Sequence, residues 1–272
     1  MSTSSENHQQ RSEFIRSLVQ NPRKESCAHV LANTSVPKVI VQYWDNHKKL
    51  PRDVEECICS WSKWKKAGYL HHIFDEHAAK EFIVAALGKR HGTAFQNCYH
   101  PAMQADYFRL CYLFVKGGLY VDADDICIGR EIDWLFSDSR LKLQPLCYDI
   151  ESNSMINPKV FLEISAYSPS WIFYVNNNPL ASSSGHPIIE RALKQATYAL
   201  QTIDQNSLPE IQETTGPGNL SKAIFDLGRM NGKLDKELMV LDDWDSIAIS
   251  KWPLSYRDDA RNWRHSNRIS FF

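Results

Sequence analysis

The feature that most constrains this chain is the alternation of short apolar runs with amphipathic runs between residues 36 and 90. Val39-Ile40-Val41-Gln42-Tyr43-Trp44 reads as a buried first strand. From Asp53 to Lys66, the residues Val54, Cys57, Ile58, Trp61 and Trp64 recur at helical spacing, the lysines lie off that stripe, and Gly68 supplies a stop. Tyr69 to Phe74 reads as a second strand. Asp75 is placed to cap a helix from Glu76 to Leu87, which Gly88 ends. Strand, helix, strand, helix is an α/β signature.

The pattern continues. Ala102 to Lys116 is a helix with Met103, Tyr107, Leu110, Cys111, Phe114 and Val115 on its apolar face, stopped by Gly117-Gly118. Leu119-Tyr120-Val121 is a short buried strand that runs into Asp122-Ala123-Asp124-Asp125. Further on, strands are expected near Lys142 to Cys147, Trp171 to Val175 and Ser246 to Ser250, and a helix from Pro187 to Leu200. Asn176 to Gly185 reads as a polar loop and Gly216-Pro217-Gly218 as a turn. Ahead of residue 36, Glu13 to Gln20 forms a short helix that Asn21-Pro22 ends, within an adaptable lead-in.

Composition narrows the function. Net charge is −1, without the basic excess of a nucleic-acid binder, so no nucleic-acid partner is expected. Hydrophobic residues make up 43% of the 272, enough for an ordinary core. No run approaches about 18 apolar residues, and Met1 to Gln10 lacks the order of a secretory signal. A cytoplasmic protein is the expectation, with peripheral contact at the inner membrane surface left open. The seven cysteines (Cys27, Cys57, Cys59, Cys98, Cys111, Cys127, Cys147) are scattered and read as reduced thiols. Cys57-Ile58-Cys59 is too close-spaced for a zinc knuckle. His71, His72, Trp61 and Trp64 read as structural.

Two pairs of residues carry chemistry. Asp122 and Asp124 flank a small residue where an apolar strand ends. In an extended segment they point to one face and can converge on a hard cation, Mn²⁺ or Mg²⁺, that bridges to phosphate. The carboxyl end of a strand is also where α/β sheets bind ligands. A solvated acidic turn is the plain alternative. Asp106 and Arg109, at i and i+3, share a helix face. Spacing leaves open whether they form a surface ion pair or face a pocket and bind sugar hydroxyls. No G-x-S-x-G, P-loop or G-x-G-x-x-G is present.

Asp106-Tyr107-Phe108-Arg109, then Tyr112, then Gly117-Gly118-Leu119-Tyr120-Val121-Asp122-Ala123-Asp124, resembles the D-x-x-R…G-G-x-Y-x-D-x-D block of the DXD sugar-binding glycosyltransferases. That family includes yeast-type initiating α-1,6-mannosyltransferases, glycolipid α-1,4-galactosyltransferases and bacterial capsule and lipopolysaccharide transferases, and clostridial glucosylating toxins share the block. Pro37-Lys38-Val39-Ile40-Val41-Gln42-Tyr43-Trp44 is similar to the family's opening P-K-x-I-H-Q-x-W, with Val41 in place of the histidine. Asn176-Asn177, Ser184-Gly185-His186-Pro187 and Thr215-Gly216-Pro217 are similar to its middle loop, helix start and T-G-P turn.

The resemblance implies a GT-A-like α/β fold: a Rossmann-like mixed sheet with flanking helices in one catalytic domain, residues 36–272, after the lead-in of residues 1–35. A donor half would span about 36–130 and an acceptor-facing half about 131–272. It implies donor binding by Gln42, Trp44 (stacked on the base), Asp106, Arg109, Tyr120 and Asp122, and catalytic roles for Asp106, Arg109 and Asp124. Metal ligands would be Asp122 and Asp124, with His265, in Trp263-Arg264-His265-Ser266-Asn267, as either a third ligand or a plain surface histidine. The implied reaction moves a hexose or N-acetylhexosamine with retention. Its donor would be a nucleotide sugar, UDP- favoured over GDP-, used with Mn²⁺ or Mg²⁺. Its acceptor would be a glycan or lipid-linked saccharide, in bacterial surface polysaccharide synthesis. The alternatives are a toxin-like effector that glycosylates a protein, a catalytically silent sugar-nucleotide-binding protein, and a metal-dependent phosphohydrolase.

Overall fold

The computed structural model describes residues 4–20, 35–203, 208–231 and 234–269; Cys27 lies outside them. The elements in chain order are α1 (Ser4–Gln20), β1 (Val39–Tyr43), α2 (Arg52–Trp61), β2 (Leu70–Phe74), α3 (Glu76–Leu87), α4 (Lys89–Gln96) and α5 (Pro101–Lys116). Then come β3 (Gly118–Tyr120), β4 (Asp125–Cys127), β5 (Leu141–Asp149), β6 (Ser154–Met155), α6 (Pro158–Phe161), β7 (Trp171–Ser182) and α7 (Pro187–Gln201). The last are α8 (Ile211–Thr214), α9 (Pro217–Asn231), β8 (Leu238–Val240), β9 (Ala248–Ser250) and α10 (Trp263–Ser266).

The main sheet runs β2-β1-β3-β7-β5-β6, with β8 also on β5. β1 is parallel to β2 and β3, whereas β7 is antiparallel to β3 and β5. Parallel neighbours need crossovers, and α2 and α3 to α5 provide them. This is a Rossmann-like mixed sheet with flanking helices. One face packs against α5, which is buried nearly all round, through Met103, Tyr107, Phe108, Leu110 and Cys111. The other face holds Ile40, Leu119 and Val121 against Trp61, Trp64, Tyr69 and Trp244. Trp61 and Trp64 are therefore core, as the sequence suggested. The six described cysteines are free, and all but Cys59 are buried.

Gly117-Gly118 sets the exit of α5. Gly118 has φ +118, and a Cβ there would lie 2.8 Å from the Val39 carbonyl oxygen. Only a residue without a side chain lets β3 run that close to β1. In register, Val41 faces Tyr120, so β1 and β3 end side by side and deliver Trp44 and Asp122 to the same rim.

Three expectations need correction. The helix from residue 53 is α-helical only to Trp61 and tightens to 3₁₀ over Ser62–Ala67, closed by Gly68 at φ +83. α4, β4 and α9 lie outside the expected elements, and Gly216-Pro217-Gly218, expected as a turn, instead leads into α9, which begins at Pro217. Asn176 to Gly185 is not a loop: β7 extends through Ser182. Its asparagines look like turn formers in sequence, but Asn177 and Asn178 are buried and donate to Asp106 and Asp125, and Asn176 donates to Gln144, which removes their bias toward turns.

β3 pairs only with the last residues of β7, Leu180 to Ser182. Farther back on the strand, the Phe173 N–H donates to Ser12 Oγ of α1 (2.9 Å) and the Val175 N–H to Ser221 Oγ of α9 (3.0 Å). Two helix hydroxyls thus take N–H groups that β3 is too short to reach. α1 is anchored there by Ile15 (0% exposed) and Val19 in the main core.

Candidate functional site

α5 begins at Pro101 with His100 as its cap; His100 Nδ1 accepts from the Ala102 N–H (3.0 Å). Two turns on, Asp106 and Arg109 form the intrahelical pair, 3.0 Å apart, and both are buried. That resolves the open question in favour of the pocket-facing arrangement. Arg109 Nη2 also donates to Asp122 Oδ1 (2.9 Å), and Nη1 to the Asn177 carbonyl (2.5 Å). Its guanidinium lies 4.3 Å from the Tyr120 ring centre. Asp106 accepts from Asn177 Nδ2 (2.7 Å) and Thr215 Oγ1 (3.3 Å). Burial raises the Asp106 pKa, and Arg109 opposes the shift.

Residues 122 to 125 form a turn rather than an extended segment, with the Asp125 N–H on the Asp122 carbonyl (3.2 Å). Even so, Asp122 and Asp124 line the same cavity. Asn178 fixes that turn from β7: its Oδ1 accepts from the Asp122 N–H (2.9 Å) and its Nδ2 donates to Asp125 Oδ2 (2.9 Å). Ser250 Oγ donates to the other oxygen of Asp125 (2.6 Å), and Trp61 Nε1 to its carbonyl (2.9 Å). Burial lifts the Asp122 carboxyl; Arg109 opposes this and Asp124 adds to it. Burial lifts Asp125 as well, with Asp124 and Asp122 pushing the same way. Asp124 Oδ2 accepts from Tyr256 Oη (2.7 Å) and is ion-paired with Arg257.

The cavity holds about 410 Å³, within the range of small-molecule sites. Trp44, Asp106, Arg109, Tyr120, Asp122 and Asp124 all line it. Trp44 is 8% exposed; Tyr256 meets its ring edge-on at 5.3 Å, and Arg261 lies 5.7 Å over it. Gln42 does not reach the cavity. It is fully buried behind the turn, donating to the Asp122 carbonyl (3.1 Å) and bonded to His71 (2.8 Å). His265 is exposed on α10 and is not among the lining residues, although Trp263 and Arg264 beside it are. Among the described residues, no group of three His, Cys, Asp or Glu side chains is placed to hold a metal.

Buried side-chain atoms without a hydrogen-bond partner concentrate here. Of six among the described residues, four belong to cavity residues: Trp44 Nε1, Arg109 Nε, Tyr120 Oη and Arg257 Nε. Buried polar atoms are nearly always paired, so the clustering marks a ligand site. Sequence reasoning missed Asn178, Asp125, Tyr256 and Arg257. The first two carried the signal of polar residues inside a segment of strand spacing; the last two, more than 130 positions from Asp124, carried none.

A mixed sheet that presents paired carboxylates beyond a strand's carboxyl end, next to a buried Asp–Arg pair, places a polar, charged cavity where α/β sheets bind ligands. Residues 51–141 match the family described as "Glycosyltransferase sugar-binding region containing DXD motif". The "Initiation-specific alpha-1,6-mannosyltransferase" of Schizosaccharomyces pombe is 24% identical over 71% of this chain and 49% of its own length. The protein of the same description from Candida albicans is 21% identical over 82% of this chain and 62% of its own. The chain thus spans about half to three-fifths of these relatives. Among solved structures, the "PaToxG Glycosyltransferase" is 16% identical, with 94% of each chain covered and a TM-score of 0.44. No described helix is long and apolar enough to cross a membrane.

Proposed function

We propose that the protein is a retaining glycosyltransferase that moves a hexose or N-acetylhexosamine from a nucleotide sugar to a saccharide hydroxyl on a glycan or lipid-linked acceptor. The observation that carries this is the convergence of Asp106, Arg109, Asp122 and Asp124 on one cavity, with Arg109 tying Asp106 to Asp122 and with Tyr256 and Arg257 holding Asp124. The cytoplasmic placement and the division into donor and acceptor halves belong to the same proposal.

The donor set suits a hard cation. Arg109 engages one oxygen of Asp122, and Tyr256 and Arg257 one oxygen of Asp124, so each carboxylate keeps a second oxygen for a metal. Two carboxylates, completed by diphosphate oxygens and water, match the preferences of Mn²⁺ and Mg²⁺. A bound cation would neutralise charge on the departing nucleoside diphosphate. Asp106, fixed by Asn177 and Thr215, accepts hydrogen bonds from donor-sugar hydroxyls. Arg109 acts by holding Asp106 and Asp122 in place, since both of its terminal nitrogens are engaged by protein. Trp44 and the unpartnered Tyr120 hydroxyl border the donor.

The test is a screen of UDP- and GDP-linked sugars, a mannosyl donor included because of the relatives' names, for Mn²⁺-dependent hydrolysis without acceptor. Hydrolysis of at least one donor that stops in chelator is the expected result. Turnover undiminished in chelator, after bound metal has been removed, would refute the metal role. Binding without turnover of any donor, with or without saccharide acceptors, would identify a silent binding protein instead.

A further inference from the structure

The segment after β9 lines the cavity with Tyr256, Arg257 and Arg261. It is pinned at Ser255, whose N–H and hydroxyl both donate to the Asp53 carboxylate (2.6 and 3.0 Å). Next in line, Tyr256 and Arg257 both bond Asp124, and the Arg257 guanidinium lies 4.1 Å from the Trp252 ring centre and 5.5 Å from that of Tyr256. The Arg257 side chain is 12% exposed, and its buried Nε has no partner among the described residues.

We propose that Arg257 is a diphosphate ligand of this site and an internal competitor for its metal. Without donor the guanidinium sits on Asp124; with donor it moves to the diphosphate and leaves Asp124 to the cation. This rests on the reading of Asp124 as a cation ligand.

Elimination among the cavity's arginines carries the assignment. Arg109 has its terminal nitrogens on Asp106, Asp122 and the Asn177 carbonyl. Arg261 is turned onto Asp259 through Nε and Nη2 (3.0 and 2.5 Å). Arg264 is exposed, 4.8 Å over the Trp263 ring. Arg257 stands at Asp124 itself and has donors to spare. Its planar fork matches a diphosphate better than a single carboxylate oxygen does. A guanidinium and a divalent cation on one carboxylate repel each other, so arginine and metal are antagonists until an anion arrives to take the arginine. The rings of Trp252 and Tyr256 form a track along which the guanidinium stays stacked as it shifts.

The experiment titrates Mn²⁺ alone, following free Mn²⁺ by electron paramagnetic resonance, and UDP at saturating Mn²⁺ by calorimetry. It uses the full chain as wild type, Arg257→Gln and Arg257→Lys, with folding checked by urea midpoint. Arg257→Gln should bind Mn²⁺ alone roughly tenfold more tightly and UDP with Mn²⁺ roughly tenfold more weakly, the size of one charge-assisted contact. Arg257→Lys keeps the charge but loses the fork: Mn²⁺ affinity should stay near wild type while UDP affinity falls. These opposite signs are not what a merely structural role produces. If Arg257→Gln weakens or leaves unchanged the binding of Mn²⁺ alone, or leaves UDP binding intact, the inference is wrong while the metal reading stands. If wild type binds no Mn²⁺ even with UDP, the metal reading fails and the inference with it. Should Arg257→Gln not fold, Arg257→Lys decides: unchanged UDP affinity overturns the inference, and selective loss of UDP supports it.

Discussion

Arg109 is the residue whose removal should cost most. It is 3% exposed and lies 3.0 Å from Asp106 and 2.9 Å from Asp122. Arg109→Met keeps most of the side-chain volume but leaves Asp106, itself 7% exposed, as a buried carboxylate without a counter-charge. Removing one partner of a buried pair costs about 3–5 kcal/mol. For a domain of this size, that lowers the melting temperature by roughly 10 °C. A second substitution tells whether charge or packing is at fault. In wild type, Asp106→Asn removes a partner of Arg109 and should destabilise. In the Arg109→Met background it removes the stranded charge and should restore at least about 1 kcal/mol. The assay is urea unfolding of the four proteins at pH 7, compared by midpoint at constant slope. If Asp106→Asn destabilises in both backgrounds by the same amount, the buried-charge argument is wrong and the loss on Arg109→Met is one of packing.

Other predictions concern pH and the donor. His186 caps α7, with Nδ1 accepting from the Ile188 N–H (3.3 Å) and Nε2 on the Glu237 carbonyl (3.1 Å); burial holds its pKa at about 4, against an ordinary 6.5. Since the folded value is depressed, its contribution is intact above pH 6.5 and is lost as pH falls toward 4, by up to about 3 kcal/mol. Urea midpoints at pH 7 and 5 should show this loss, and His186→Asn, which can still cap, should shrink it; equal losses in both proteins would clear His186. Trp44→Ala should weaken UDP binding about tenfold, as loss of a base–aromatic contact does, and unchanged calorimetric affinity would make Trp44 purely structural. Asp106→Asn should cut turnover sharply yet leave UDP–Mn²⁺ binding nearly intact, whereas Asp124→Asn should damage both; equal loss of UDP in the two variants would merge them into one metal–phosphate network.

The parts of the molecule that sequence revealed are those governed by local rules. Periodicity located β1, α3, α5 and α7 to within a residue or two and α2 at its start but not its end, Asp75 capped α3 as expected, and Gly117-Gly118 marked the turn into β3. The acid and arginine residues that meet in the cavity, Asp106, Arg109, Asp122 and Asp124, were legible because they lie within 19 positions of one another. What could not be read depends on distant partners. Asn176 to Ser182 is strand because Gln144 takes Asn176, Asp106 takes Asn177, and Asp122 and Asp125 take Asn178. Gln42 lies in the expected motif but turns back to His71, a pairing fixed only when β2 lies beside β1. Arg257 meets Asp124 through a segment without periodicity of its own.

The hydroxyls of Ser12 and Ser221 on β7 bear on how the protein can be handled. A strand with unsatisfied N–H groups along one side is a template for another strand. A chain trimmed to begin at residue 36 would still contain every cavity-lining residue, but it would lose the helix that covers Phe173 and buries Ile15 and Val19. Such a fragment would be expected to precipitate or pair edge to edge during expression, and its inactivity would say nothing about the catalytic residues. Working boundaries for crystallisation or engineering should keep residues 4–20, and a domain limit set from the matched region alone would discard the cover of the central sheet.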